Sequence, residues 1–383
     1  MIRSLQASFK ELTDTPDFTD EVRERALNML DLAFKPQIAE IIWPQTRQII
    51  LELSPKMEHS GYWDSWQPYL DRGLALSRTV QDKQAEGAIG VQIGIFQQRQ
   101  GKVASAVEWY EWGMACAQAV DDKEVWAIAL NRLGFTASQQ YKVTEASDYI
   151  QQALELLSED NPKIEFCYYV LGNIALCVHE PAKAAQYFRQ SIDICQRTGD
   201  KHRMGINLNN LGNALHEQGM SKDALEIFAQ AIQLWTEIEN PVELAITKMN
   251  QGIVHDDLNK PFNALKCYSE AKPILEKSSN SANLAKLYNN QGYSYSKLEK
   301  WCEAKTLYQA SLIQFQQIEH WLEYASVLDG LGLIYLKQGQ LHKAAKTFED
   351  ALQILSDLTE DRVQEYLFQE ITEHLQEAYM QLT

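Results

Sequence analysis

A chain of 383 residues with 35 basic and 52 acidic side chains carries a formal charge of −17, which excludes the broad basic surface that nucleic-acid phosphates require. Its six cysteines form no CxxC pair, which argues against a zinc site or disulfide framework and for buried free thiols. No stretch approaches the roughly 18 apolar residues of a membrane span, and Met1–Leu12 has no long apolar run before a cleavage site, so the chain reads as cytoplasmic.

In chain order, residues 1–45 read as an N-terminal helical cap or small bundle. Thr13–Thr19 separates an opening helix from a second one at Asp20–Phe34, and Pro36 and Pro44 mark further boundaries. From there a glycine recurs at Gly94, Gly134, Gly172, Gly212, Gly252, Gly292 and Gly332, in steps of 40, 40, 38, 40, 40 and 40 residues. Twelve residues after each stands an alanine (Ala106, Ala146, Ala184, Ala224, Ala264, Ala304, Ala344). Sixteen after stands a large apolar residue (Tyr110, Ile150, Phe188, Phe228, Tyr268, Tyr308, Phe348). A fixed period of this size marks a repeat array, not a compact enzyme domain.

The apolar spacing between glycines is helical, as in Leu208, Leu211 and Leu215, then Ala224, Phe228 and Ala231. Each step therefore holds two helices. The turn between them falls about seven residues after the repeat glycine, where Gly61, Gly101, Gly219 and Gly339 suit a left-handed residue. Twelve residues before the repeat glycines stand Asp82, Asp122, Asp160, Asp200, Asn240, Asn280 and His320, which predicts a ladder of helix N-caps. A degenerate first repeat surrounds Leu53-Ser54, with Trp66 in place of the alanine and Gly73 making room for it. Glu360–Leu382 reads as one final helix that caps the stack.

The grammar resembles the tetratricopeptide repeat in a 40-residue form, most clearly at Asn209-Asn210-Leu211-Gly212-Asn213-Ala214 followed by Gly219 and Asp223-Ala224-Leu225. The resemblance implies an all-α, right-handed solenoid of about eight helical hairpins with capping helices at both ends. The array spans 46–359, with repeats near 46–81, 82–121, 122–159, 160–199, 200–239, 240–279, 280–319 and 320–359, and a C-terminal cap follows at 360–383. Two lapses predict irregularity: the 38-residue step with His179 and Pro181 in place of a turn glycine, and Pro273 inside a second helix, where a kink or broken turn is expected.

In tetratricopeptide arrays the first helices line a concave surface. The exposed stripe is then six and three residues before the glycine and one, four and five after it. In the early repeats this stripe holds Phe135, Phe166 and Tyr169; in the later ones it is rich in asparagine. An amide donates and accepts at once, matching an extended peptide backbone, and peptide-binding relatives such as kinesin light chains and Rap-type regulators use such ladders. The peptide-binding set is accordingly Asn131, Asn173, Asn209, Asn213, Asn250, Lys286, Asn289, Phe135, Phe166 and Tyr169. Compared with arrays that clamp a terminal carboxylate, Asn213, Asn250 and Lys286 match, whereas Asn209 and Asn290 replace a lysine and an arginine.

No catalytic, metal or cofactor motif is present. His216, Glu217, Asp256 and Asp257 occupy corresponding positions on successive repeats and would meet on one face as a cation or basic-side-chain site, or as solvated helix ends. The tryptophans Trp43, Trp63, Trp66, Trp109, Trp112 and Trp126 crowd the first half as binding anchors or as packing. The sequence thus reads as a non-enzymatic scaffold or adaptor that holds a protein or peptide segment, without nucleic acid or membrane and with homo-oligomerisation left open. Two other readings stand beside it: a Rap-like peptide-gated regulator whose N-terminal segment contacts an effector, and a disfavoured enzyme built on the His216/Asp256 cluster.

Overall fold

The computed structural model describes residues 20–59, 63–278, 281–358 and 362–382, all helix and turn, and these fall into two compact units that meet in sequence at His179 and Glu180. The first unit holds α1 (Asp20–Ala33), α2 (Trp43–His59), α3 (Trp63–Thr79), α4 (Lys83–Arg99), α5 (Val103–Ala119), α6 (Lys123–Gln139), α7 (Val143–Leu156) and α8 (Ile164–Cys177). The second holds α9 (Pro181–Thr198), α10 (Lys201–Glu217), α11 (Ser221–Glu237), α12 (Pro241–Asp257), α13 (Pro261–Lys277), α14 (Ser281–Lys297), α15 (Trp301–Gln317), α16 (Trp321–Lys337), α17 (Leu341–Ser356) and α18 (Arg362–Leu382).

Successive helices pack as antiparallel hairpins, and within each unit the first helices of neighbouring hairpins also touch: α2, α4, α6 and α8 in one, α10, α12, α14, α16 and α18 in the other. The hairpin seam explains the repeat grammar. A methyl group at Gly212 would lie 2.5 Å from the Phe228 ring, at Gly252 2.4 Å from Tyr268 and at Gly332 2.4 Å from Phe348. The glycine is the floor on which the large residue of its own hairpin rests, and the alanine four residues before that ring is fully buried in all seven repeats. Tyrosine at the ring position finds a polar partner four residues after the glycine: Tyr110 donates to Gln98 at 2.8 Å and Tyr268 to Asp256 at 3.0 Å. Where that partner is Leu336, the ring is Phe348 and needs none.

Helix starts follow the capping logic in four places. Asp82, Asp122, Asp200 and Asn240 accept from the backbone N–H groups of Ala85, Val125, Arg203 and Glu243. Asp160 does not cap, because α8 starts later at Ile164; the His320 side chain makes no capping bond, and Asn280 lies outside the described residues. Gly101, Gly219 and Gly339 adopt left-handed backbone as expected, with φ of 78°, 77° and 69°; Gly61 lies outside the described residues. The equivalent turns elsewhere use Tyr141, His179, Asn259 and Glu299 in the same conformation, with φ between 56° and 57°. The turn geometry belongs to the repeat and is imposed on whatever residue stands there, against a cost of roughly 1–2 kcal/mol for a side chain in this region.

Three expectations need correction. Helix α13 runs unbroken from Pro261 to Lys277 through Pro273, so no turn is broken there; the proline is exposed, and the Ser269 carbonyl that loses its N–H partner is also at an exposed position. Gly73 does not make room for Trp66: a methyl there would meet Ile50 at 2.8 Å, while Trp66 is fully buried and donates to Ser54 Oγ at 3.0 Å. Of the six free thiols, only Cys116, Cys167 and Cys195 are buried; Cys177 and Cys267 are half-buried and Cys302, in the first turn of α15, is exposed. The tryptophan cluster is mostly packing. Trp43 and Trp66 are buried, and Trp109 and Trp112 meet edge to face at 5.4 Å against the same core. Helix α1 caps this end, with Ala26, Met29, Leu30 and Ala33 joining Ile50, Leu53, Leu70 and Phe96 in one apolar cluster.

Candidate binding surfaces on the first helices

Two of the five stripe positions are spent on the array itself. The residue four after one repeat glycine reaches the residue five after the next, giving a rung between adjacent first helices. Glu58 accepts from Arg99 at 2.8 Å, Gln98 donates to Gln139 at 3.2 Å, His216 meets Asp257 at 2.8 Å, and Lys297 donates to the Asp256 carbonyl at 2.7 Å. His216 and Asp257 therefore do converge. Asp256 does not share their face: it is 1% exposed, accepts from Tyr268 and from Ser294 Oγ at 2.6 Å, and its Oδ1 has no partner. Burial pushes its carboxyl above the usual range, against the pull of those two hydroxyls and Lys297. No group of three metal-ligating side chains occurs among the described residues.

In the first unit, α6 and α8 bring Phe135, Phe166 and Tyr169 together, as the spacing implied. Their ring centroids lie 5.4–5.8 Å apart, Phe166 and Tyr169 are stacked, and all three are half-buried. The Arg132 guanidinium sits 4.6 Å from the Phe166 centroid, a contribution the stripe did not include because Arg132 is two residues before Gly134. Asn173 stands beside them, its amide donating to the Tyr169 carbonyl within the same helix. Asn131 is corrected. It is 2% exposed and its Oδ1 accepts from the Cys167 thiol at 3.1 Å, so it is consumed by the contact between α6 and α8. Burial pushes the Cys167 thiol up to about 11, which keeps it a donor.

In the second unit the predicted asparagines Asn209, Asn213, Asn250 and Asn289 are all half-buried. Asn250 of α12 donates to Asn209 Oδ1 of α10 at 3.0 Å, and Asn209 in turn reaches Asn210 at 3.4 Å. The side chains of Asn213 and Asn289 make no hydrogen bond among the described residues. Lys286 is exposed, 3.9 Å from Glu323 of the next first helix. The unit thus presents the unpaired amides of Asn213 and Asn289, two amide–amide bonds centred on Asn209, and the weakly held cation of Lys286. Asn207, fully buried and donating to the Arg203 carbonyl, shows that asparagine in this region is not always a surface residue.

A family model for the tetratricopeptide repeat matches residues 126–197, 164–237 and 283–357. No curated protein sequence matches the chain. Among solved structures it is similar to aspartyl phosphate phosphatase F from Bacillus subtilis, with 14% identity, TM-score 0.58, and coverage of 90% of this chain and 96% of that one. A Rap protein complexed with competence and sporulation factor gives 12% identity and TM-score 0.60, over 88% of this chain and 99% of that one. A signal-transduction ATPase with a tetratricopeptide-repeat sensor from Pyrococcus horikoshii gives 11% identity and TM-score 0.61; 88% of this chain matches 52% of that larger protein. At these identities the likeness is one of fold. No helix among the described residues is long and apolar enough to cross a membrane. The chain is a tetratricopeptide-repeat protein.

Proposed function

We propose that the chain is an interaction module that holds an extended protein or peptide segment on its first-helix surfaces. The observation that carries this reading is the pair of unbonded, half-buried side-chain amides of Asn213 and Asn289, on first helices of the unit that also holds the Asn209–Asn250 bond. Asparagine is a poor helix former, and an amide facing solvent in a helix returns little unless a ligand's alternating N–H and C=O groups pair with it. Lys286 adds one charge to this surface. The Phe135–Phe166–Tyr169 cluster offers separate apolar anchorage in the first unit, and the net charge of −17 favours a partner that is not itself acidic. A structural relative held with a signalling factor supports the same class of partner.

The likeness to the Rap protein and to the phosphatase covers most of this chain, first unit included, which favours a second reading: a peptide-gated regulator whose N-terminal unit meets an effector. The test is direct. Peptides selected from a random display library against the intact protein are titrated by calorimetry into wild type and an Asn209→Ala, Asn213→Ala variant. Each lost neutral hydrogen bond is worth about 0.5–1.5 kcal/mol, so affinity should fall roughly 5- to 100-fold. Equal affinity in a folded variant moves the site off these helices. Hydrogen exchange spreading from the peptide into α1–α3 selects the regulator; exchange confined to the peptide's own helices selects the scaffold.

A further inference from the structure

The His216–Asp257 rung pairs an imidazole with a carboxylate and has a serine hydroxyl beside the ring. Ser221 is the first residue of α11, and its Oγ lies 3.5 Å from His216 Nδ1, while His216 Nε2 lies 2.8 Å from Asp257 Oδ2. One ring nitrogen faces a hydroxyl and the other a carboxylate, the arrangement in which a carboxylate fixes the tautomer and leaves the opposite nitrogen to take a proton. The 3.5 Å separation is longer than a formed hydrogen bond, and such contacts tighten when a substrate is bound. We propose that Ser221, His216 and Asp257 form a nucleophile–base–carboxylate triad that hydrolyses small carboxylic esters.

Three further observations support it. Ser221 lies nine residues after its repeat glycine, and the other repeats place Val103, Val143, Pro181, Pro261, Trp301 and Leu341 there, so a hydroxyl at this position is not part of the array's grammar. Met220, the N-cap of α11, supplies no side-chain acceptor, so the first backbone N–H groups of the helix point outward beside Ser221 with no cap. Orphan amides at a helix N-terminus are where the negative oxygen of a tetrahedral intermediate is stabilised. Met220 and Leu258, the chain neighbours of Ser221 and Asp257, are exposed apolar side chains, as is Phe262; they offer contact to a short apolar acyl or aryl group. The site is open, so the substrate must be small and unhindered.

In the first step Ser221 Oγ attacks the ester carbonyl carbon as its proton passes to His216 Nδ1. The carbonyl electron pair moves onto oxygen beside the α11 amides. Its return breaks the bond to the alcohol oxygen, which leaves with the proton from His216. Water then attacks the acyl-serine, again losing its proton to His216, and Ser221 leaves as the hydroxyl with release of the acid. Asp257 takes no proton; it is a positioning residue that holds the ring.

The test uses the full chain, an alkyl fluorophosphonate probe and p-nitrophenyl acetate and butyrate. Labelling should map to Ser221 by mass spectrometry. Ser221→Ala should abolish both labelling and burst, and His216→Gln should slow turnover about 100-fold or more. Asp257→Asn should slow it about tenfold or more, with recovery in Asp257→Glu, which a merely structural role would not give. As a readout independent of turnover, Ser221→Cys should be alkylated by iodoacetamide faster than the same thiol in a His216→Gln background. Turnover by Ser221→Ala equal to wild type, label on another residue, or equal alkylation rates would each overturn the proposal. The thermal unfolding of every variant confirms that these outcomes concern folded protein.

Discussion

The two units use the same helix positions for different ends. Three residues before the repeat glycine, Asn131 of the first unit is buried and bonded to Cys167, whereas Asn209 and Asn289 of the second remain at the surface. The side chain that covers the glycine varies within the first unit, Tyr110 over Gly94 and Ile150 over Gly134, whereas Phe228 and Tyr268 cover Gly212 and Gly252 in the second. The first unit has put Asn131 into packing and presents the half-buried rings of Phe135, Phe166 and Tyr169 on its first helices, while the second presents the half-buried amides of Asn209, Asn213 and Asn289. Position in a repeat therefore fixes where a side chain points, but the neighbouring helix decides whether it is available.

The largest test of this contrast is at the glycines. Gly252→Ala places a methyl 2.4 Å from the rigid Tyr268 ring, while Gly134→Ala meets the movable end of Ile150 at 2.8 Å. Urea denaturation should show a loss of about 1–3 kcal/mol for the first and clearly less for the second; equal losses would mean that ring and aliphatic floors are equivalent. Next, Asn131→Ala should lose about 1–3 kcal/mol, because the buried Cys167 thiol loses its acceptor, whereas Asn289→Ala should stay within about 0.5 kcal/mol. A large loss at Asn289 would show that it, too, is consumed by the fold.

Two carboxylates, the buried Asp256 and the half-buried Asp82, are shifted in opposite directions. Burial dominates at Asp256 and raises it. At Asp82 burial also pushes upward, but the Ala85 N–H, the Trp43 indole and Arg47 outweigh it, and the carboxyl is lowered. A raised group favours the protonated native state, so its cost is present at neutral pH and is relieved as pH falls through the raised value. A lowered group stabilises at neutral pH and loses that contribution only as pH falls below the ordinary carboxylate value. Asp256→Asn, which keeps an oxygen for Tyr268 and Ser294, should therefore raise Tm at pH 7 by a few degrees, on the scale of about 2–4 °C per kcal/mol, with the gain shrinking by about pH 4. Asp82→Asn should lower Tm at pH 7 and hold that difference until the pH is more acidic still. Parallel curves for the two variants would remove the distinction.

The smallest effect concerns the turns. Tyr141→Gly should gain up to about 1 kcal/mol by relieving the left-handed backbone, and Gly219→Ala should lose a similar amount. Differential scanning calorimetry would resolve both, and a loss at Tyr141→Gly would show that its side chain, 40% exposed, contributes more than its backbone costs.

The hairpins were readable because glycine, alanine and ring recur at fixed offsets, and each offset answers one contact in the seam. The caps at Asp82, Asp122, Asp200 and Asn240 were readable for the same reason. The left-handed turns at Tyr141 and Glu299 were not, since the conformation is enforced by two packed helices and leaves no preferred residue type. Nor was the rung of Gln98 with Gln139, which looks like two solvated helix ends until the next helix is placed beside it, whereas the meeting of His216 with Asp257 follows from their corresponding positions on successive repeats. The aromatic cluster was legible because rings at equivalent stripe positions of neighbouring first helices are brought side by side by the stacking itself. The burial of Asn131 was not, because it depends on Cys167, five residues before the next repeat glycine, on a face the stripe does not include.

The pairing of Tyr110 with Gln98 and of Tyr268 with Asp256 has a bearing on how such a chain can grow. Both members of each pair lie in one hairpin, twelve residues apart, so copying a whole hairpin copies a satisfied hydroxyl. A crossover between the two helices would instead join a tyrosine to Leu336, or a phenylalanine to Asp256, and leave a buried polar group alone at a cost of about 1–3 kcal/mol. The hairpin, cut at its outer turn, is thus the unit in which this array can be duplicated, deleted or exchanged without penalty in its core.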